Sequence, residues 1–195
     1  MADIRRCGAL LLAAGLSTRF GTADKLLAPF EGRPLAEHAA GQIARLPFEA
    51  KVAVVNTGGG ALHGMLDGLG FDLVVNDAPE RGLSSSLALG AARLAAIRSD
   101  MPVVVALADM PRIPASHLLA LCETLSPERP MVASLGLERP TVPAAFLRPE
   151  CLQGLDGDTG ARALLAGAIT IPIAACLLAD IDRPTDLPPS SGRSI

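Results

Sequence analysis

Near the start of the chain two cations and two glycines crowd into one short stretch. Residues 10–25 read L-L-L-A-A-G-L-S-T-R-F-G-T-A-D-K: an apolar run breaks at Gly15, a second glycine follows at Gly21, and Arg19 and Lys25 bring positive charge. Glycine can take φ > 0 and lets backbone N–H groups approach a ligand closely, while arginine offers a fork of donors and lysine a point charge. Such a set suits a polyphosphate. Carboxylates complement it far along the sequence: Asp109 ends the apolar run M-P-V-V-V-A-L-A at residues 101–108, and Asp180 and Asp182 flank Ile181. A carboxylate at the end of a buried strand is costly to desolvate unless it meets a cation. Two of them meeting a triphosphate fit a Mg²⁺ ion that bridges protein and phosphate oxygens. The competing role for Asp109 and Asp182 is to cap the helices that follow. Alternation along an extended segment would point Asp180 and Asp182 the same way, with the turn at Arg183-Pro184 aiming only one at the site.

Named phosphate loops do not account for the first stretch. A Walker loop requires G-x-x-x-x-G-K-[ST], but five residues separate Gly15 from Gly21 and Lys25 comes four later. The dinucleotide fingerprint G-x-G-x-x-G is missed both here and at Gly58-Gly59-Gly60. Gly82-Leu83-Ser84-Ser85-Ser86 falls short of the hydrolase elbow G-x-S-x-G, since Ser86 stands where its last glycine belongs. That stretch opens a helix, so its N–H groups and hydroxyls could hold an anion or a base edge, or Ser84 could be an ordinary N-cap.

Composition narrows the partners. With 17 Lys and Arg against 20 Asp and Glu, a net charge of −3 and no basic block, the chain offers no electrostatic footprint for nucleic acid. Trp and Tyr are absent and Phe numbers five, so base-stacking platforms are not expected. Cys7, Cys122, Cys151 and Cys176 lie far apart without C-x-x-C, and His38, His63 and His117 form no H-E-x-x-H. Zinc and a disulfide framework are therefore not expected; scattered buried thiols in a reducing cytoplasm are. Arg5-Arg6 followed by an apolar run could pass for a secretory signal, but cleavage would remove the strand carrying the loop, so residues 7–14 read as a first strand. No apolar run approaches the ~20 residues that span a bilayer, so no membrane association is expected.

The elements that must position these groups alternate. Strands are predicted at residues 7–14, 51–56, 71–76, 101–108, 131–135 and 142–146, with an extended piece at 168–174. One helix is expected to open at Pro34, since proline is welcome at the first helical position, and to run to about Leu46; others cover 61–69, Ser86 to about Arg98, 114–125 and 159–166. Short connections between alternating strands and helices imply an α/β fold with a mostly parallel, largely buried sheet. Residues 1–187 read as one domain and 188–195, P-P-S-S-G-R-S-I, as a tail with nothing to bury. In such a sheet ligands gather at the carboxyl ends of the strands, where all the loops named above should converge.

The pattern L-x-A-G-x-S-x-R-x-G-x-x-x-K, met at Leu12, Ala14, Gly15, Ser17, Arg19, Gly21 and Lys25, resembles the signature of the molybdenum-cofactor (MobA-like) nucleotidyltransferases. L-A-D-M-P at residues 107–111 and D-I-D-R-P-T-D-L at 180–187 are similar to that family's two metal motifs, which implies Mg²⁺ on Asp109 and Asp182, with Asp180 the weaker candidate. G-L-S-S-S-L at 82–87 resembles a nucleotide-pocket segment of the family, with Asn76 just upstream; the implied nucleotide contacts are Leu12, Ala13, Ala14, Gly15, Ser17, Lys25, Asn76, Gly82, Ser84 and Ser85. Gly157 to Arg162 resembles the family's G-D-x-G-A-R, placing Asp158, Gly160 and Arg162 on the acceptor side. Arg139 to Phe146 is similar to R-x-G-x-P-x-x-F, with Thr141 where glycine is usual. The resemblance implies a three-layer Rossmann-like nucleotidyltransferase fold and transfer of a nucleoside monophosphate to a molybdopterin-type phosphorylated acceptor, with Arg19, Lys25 and Asp109 as catalytic residues. A molybdoenzyme or its chaperone would be a further partner. Leu-Ala-Ala-Gly at residues 12–15 is closer to the cytidylyl branch than to the guanylyl one, which favours CTP over GTP. Two other readings stay open: transfer to a sugar or alditol phosphate, and nucleotide binding without turnover.

Overall fold

The computed structural model describes residues 2–16, 20, 24–58, 60–136, 138–155 and 163–188. Its sheet is organised around β1 (Gly8–Ala13), every residue of which is buried. β2 (Pro29–Phe30) and β3 (Arg33–Pro34) form a small separate hairpin. The other strands are β4 (Ala50–Asn56), β5 (Asp72–Asn76), β6 (Val103–Leu107), β7 (Met131–Leu135), β8 (Pro140–Phe146) and β9 (Ile169–Pro172). The seven-stranded sheet has the order β5-β4-β1-β6-β8-β7-β9. β8 runs against its neighbours β6 and β7, and all other pairings are parallel.

Side-chain alternation along β1 divides the core into two layers. Ala9, Leu11 and Ala13 face one side, where they pack with α1 (Leu35–Ala44), α2 (Gly60–Gly68) and α4 (Ala115–Thr124). Leu10 and Leu12 face the other, against α3 (Leu83–Ile97). Apolar side chains on both faces explain why the strand reads as a continuous hydrophobic run rather than an alternating one. Helix α3 lies close on the sheet because Gly90 has no side chain: a Cβ there would come within 2.2 Å of Leu10 Cδ1.

A third apolar cluster joins the hairpin to the end of the chain. Phe30, Leu35 and Ile181 are buried together. Glu31 (φ 48°) and Gly32 (φ 85°) make the tight turn that folds Phe30 inward. His38 Nε2 pairs with the Phe30 carbonyl at 2.8 Å, and the Arg112 guanidinium lies 4.8 Å from the ring centroid. This cluster differs from the expectation of an extended C-terminal segment. Residues 178–183 form no strand; they follow a 3-10 turn (Ala175–Leu177) and are pinned by Ile181, whose N–H donates to the Asp109 carbonyl at 3.0 Å. Burial of one apolar residue overrides β-propensity here, and it leaves the flanking carboxylates of Asp180 and Asp182 outside the cluster.

Smaller differences have equally local causes. Pro34 precedes helix α1 instead of opening it, because it is still paired in β3. Helix α3 begins at Leu83, with Gly82 at φ 86° supplying the turn and no serine cap. Of the four thiols only Cys7 and Cys122 are buried; Cys151 is half-buried and Cys176 exposed. None of the helices is long and apolar enough to cross a membrane, among the described residues.

His117, on α4, has a structural setting. Its Nε2 lies 2.8 Å from Ser134 Oγ, which donates to the Pro143 carbonyl at 2.6 Å, so the imidazole must donate to the serine. Burial depresses its pKa below the ordinary histidine value. The unfolded chain then takes up the proton first, so stability is full above about pH 6.5 and falls as pH drops from there toward the lower folded value. Urea midpoints at pH 7.5 and 5.5 should differ more for the natural chain than for His117→Gln, which keeps the donor but does not titrate.

Candidate active site

The loops at the carboxyl ends of β1, β5 and β6 form one rim, and the C-terminal segment joins it. Lys25 starts a 3-10 turn (Lys25–Leu27) whose cap, Asp24 Oδ1, accepts from the Leu26 N–H at 3.0 Å. Leu26 is buried in the core and fixes the turn, leaving the Lys25 stem to run along the rim. Its ammonium meets two carboxylates: Asp109 Oδ2 at 2.7 Å and Asp182 Oδ1 at 3.3 Å. Asp109 follows β6 in a turn, after Ala108 has donated to the Leu12 carbonyl, and its own carbonyl holds Ile181. The chain that carries Asp182 is thus tied to the chain that carries Asp109. Asp182 is further fixed by Asp186, whose Oδ2 accepts from the N–H groups of Asp182 and Arg183 at 3.0 and 2.8 Å. Neither Asp109 nor Asp182 caps a helix: α4 is preceded by Pro114, and the capping carboxylate near the C-terminus is Asp186.

Electrostatics explains why these charges tolerate partial burial. The Lys25 residue is 9 % exposed. Desolvation is the largest single influence on its ammonium and works to lower the pKa, but Asp109 and Asp182 together outweigh it and hold the pKa above the usual lysine value. A charge pair at about 4 Å is worth about 4 kcal/mol at an effective dielectric near 20, before desolvation is subtracted, and both pairs here are closer. Among the described residues Asp180 forms no ion pair with Lys25. Burial first, then the nearby Asp182 and Asp109 charges, push its carboxyl above the usual range, with Lys25 opposing.

Two cavities open beside the ion cluster. The smaller, of about 360 Å³, is lined by residues 12–16 at the end of β1, by Lys25 and Asp109, and by Gly82, Leu83 and Ser86 at the start of α3. The larger, of about 650 Å³, shares Leu12, Leu83 and Leu107 with it and extends to Arg139, Thr141 and Asp180. These three apolar residues form a dividing wall; the sequence singled out Leu12 as a nucleotide contact but not Leu83 or Leu107, because a leucine at a strand or helix end carries the same signal whether it packs a core or walls a site.

Of the residues singled out in the sequence, Leu12, Ala13, Ala14, Gly15, Lys25, Gly82 and Asp109 line the smaller cavity, and Asp182 joins through Lys25. Asn76, Ser84 and Ser85 are not part of its lining. Asn76 is buried; its amide donates to Ser85 and Ser86 Oγ at 2.9 Å, and its oxygen accepts from the Ala78 N–H at 3.0 Å. It ties the end of β5 to the first turn of α3, and so orients the Gly82–Ser86 wall. Ser17, Arg19, Asp158, Gly160 and Arg162 lie outside the described residues.

The donor set can be tested for a metal. No cluster of three or more His, Cys, Asp or Glu side chains is placed to enclose one, among the described residues. Asp109 Oδ1, however, is buried without a hydrogen-bond partner there. One orphaned carboxylate oxygen with a second carboxylate nearby suits Mg²⁺, which typically takes one or two carboxylates and completes its shell with substrate phosphates and water.

A mostly parallel sheet with Gly15 just beyond its central strand, a cation between two carboxylates on the rim and a cavity in front of them define a Rossmann-like NTP transferase. The chain belongs to the MobA-like NTP transferase domain family, whose model matches residues 9–172. Nicotine blue oxidoreductase from Paenarthrobacter nicotinovorans is 30% identical over 167 residues, covering 80% of this chain and 79% of that protein. The bifunctional protein GlmU from Rhizorhabdus wittichii is 30% identical over 146 residues, 74% of this chain; the chain spans only 31% of that longer relative. Among solved structures, Rv0371c from Mycobacterium tuberculosis H37Rv superposes with a TM-score of 0.79 at 22% identity, covering 92% of this chain and 95% of that one. The match at that identity is one of fold.

Proposed function

We propose that the protein transfers a nucleoside monophosphate, CMP from CTP, to the phosphate of a molybdopterin-type acceptor in the cytoplasm, with Mg²⁺ and release of pyrophosphate. The observation that carries this reading is the Lys25 ammonium held between Asp109 and Asp182 at the edge of the loop-lined cavity. An oxygen of the acceptor phosphate attacks the α-phosphorus in line. The bond from that phosphorus to the oxygen bridging to the β-phosphate breaks, and pyrophosphate leaves with the electron pair. Positioning and charge neutralisation are the whole of the enzyme's task in such a displacement. Lys25 and Arg19 steady the triphosphate, residues 12–15 and Gly82 present backbone groups to the nucleotide, and Asp109 and Asp182 hold Mg²⁺. The ion supplies charge neutralisation at the reacting phosphate. A phosphate monoester with a second pKa near 6 is already ionised at pH 7, so no general base is needed.

The larger cavity supports a pterin over a sugar or alditol phosphate as acceptor. Among the described residues its wall is chiefly aliphatic, with Arg139, Thr141 and Asp180 as the polar side chains. A flat ring can lay its faces on such a wall, whereas each polyol hydroxyl left without a partner would cost about 1–3 kcal/mol. Leu-Ala-Ala-Gly at residues 12–15 supports CTP. Pyrophosphate release measured across the four NTPs and a panel of pterin, sugar and alditol phosphates tests the reading; the expected maximum is CTP with the pterin. The relative named as an oxidoreductase favours a second reading, redox use of the same cavities. Reduction of an added quinoid dye by a reduced nicotinamide nucleotide, with no pyrophosphate release under any acceptor, would select it.

A further inference from the structure

We infer that Lys25 is the counter-ion of the carboxylate pair in the nucleotide-free enzyme and must leave it before Asp109 and Asp182 can hold a divalent cation, so that metal is taken up only with the nucleotide. The inference rests on the proposed role of these two aspartates.

Three observations carry it. The ammonium bridges both carboxylates at 2.7 and 3.3 Å, which is where an ion shared by them would have to sit. Lysine is a compact point charge on a flexible stem, so it can neutralise two carboxylates in one position and a polyphosphate in another without moving its backbone. Lys25 also lines the smaller cavity, so the phosphates of a nucleotide bound there come within reach of the same side chain. Finally, no described cluster offers a third protein ligand, so the bare carboxylates have little with which to outcompete a resident ammonium. A nucleotide changes both sides of that competition at once: its phosphates add ligands for the metal and give the displaced ammonium a new partner.

Mn²⁺ binding, read from the electron paramagnetic resonance signal of the free ion, tests this without turnover. In the absence of nucleotide, Lys25→Gln should bind Mn²⁺ at least ten times more tightly than the natural chain, and Lys25→Arg, which keeps the charge, should bind as weakly as the natural chain. With a non-hydrolysable α,β-methylene analogue of CTP, the natural chain should gain Mn²⁺ affinity to at least the level of Lys25→Gln. Lys25→Met, which preserves the aliphatic stem, serves as the second neutral variant should Lys25→Gln not fold. Equal Mn²⁺ affinity of the natural chain and the neutral variant without nucleotide would overturn the inference about Lys25 while leaving the metal role of the aspartates intact. Absence of Mn²⁺ binding in every variant, with and without the analogue, would overturn both.

Discussion

Lys25→Ala and Asp109→Ala are each expected to lower the rate of pyrophosphate release by about 10²–10³, the loss typical when one preorganised charge aimed at a developing transition-state charge is removed. The distances give the reason. One side chain is a cation at the mouth of the loop-lined cavity; the other is the carboxylate that holds it at 2.7 Å. The fold should survive both changes, because the core of each element is built from other residues: Leu26 anchors the turn of Lys25, and Ala108, Met110 and Ile113 anchor the turn of Asp109. Circular dichroism and the urea midpoint check that point. Asp100→Asn is the control. Its exposed carboxylate pairs with Arg98 at 2.7 Å at the opposite end of β6, outside the lining of both cavities, so it should keep turnover close to that of the natural chain. A result in which all three variants behave alike would deny the ion cluster any special part in the chemistry.

The sheet was legible in the sequence because its strands are buried on both faces. Runs such as V-V-V-A-L at residues 103–107 have no polar alternation to confuse them, and the glycines and prolines between runs mark the turns. The convergence of Lys25 with Asp109 followed from the fold, since Lys25 lies in the connection that follows β1 and Asp109 just beyond its neighbour β6. What the sequence did not carry was the route of the C-terminal segment. L-L-A-D-I-D looks like a strand, yet the structure uses its isoleucine as a plug against Phe30 and Leu35. Only a tertiary contact distinguishes the two, and local propensity is blind to it. Asn76 shows the opposite case: it was legible as a site residue, but its amide is engaged by Ser85 and Ser86, so its contribution comes through the placing of α3. Leu12 was legible as a nucleotide contact, but that it forms a wall with Leu83 and Leu107 had no sequence signal, because division of a cleft into two cavities is a property of shape.

Removal of divalent cations is expected to stop turnover, and the two aspartates should fail in different ways when the metal is returned. The Asp109 side chain is 20% exposed and that of Asp182 is 43% exposed. Asp109 also carries the buried oxygen that no donor satisfies among the described residues. A ligand held in a partly dehydrated position contributes a fixed coordination site, whereas a more exposed one can be replaced in part by water, which Mg²⁺ accepts readily in its shell. After treatment with a chelator, Mg²⁺ should therefore restore the natural chain fully. Asp182→Asn should be restored as well, at a half-saturating Mg²⁺ concentration raised about tenfold, the loss of one charge-assisted contact worth about 1.4 kcal/mol. Asp109→Asn should stay at least 10² below the natural rate at any Mg²⁺ concentration. Titration of Mg²⁺ against initial rate for the three proteins separates these outcomes. Saturation of all three at one concentration would mean that the ion is held by the phosphates alone, with the rim carboxylates serving only to hold Lys25.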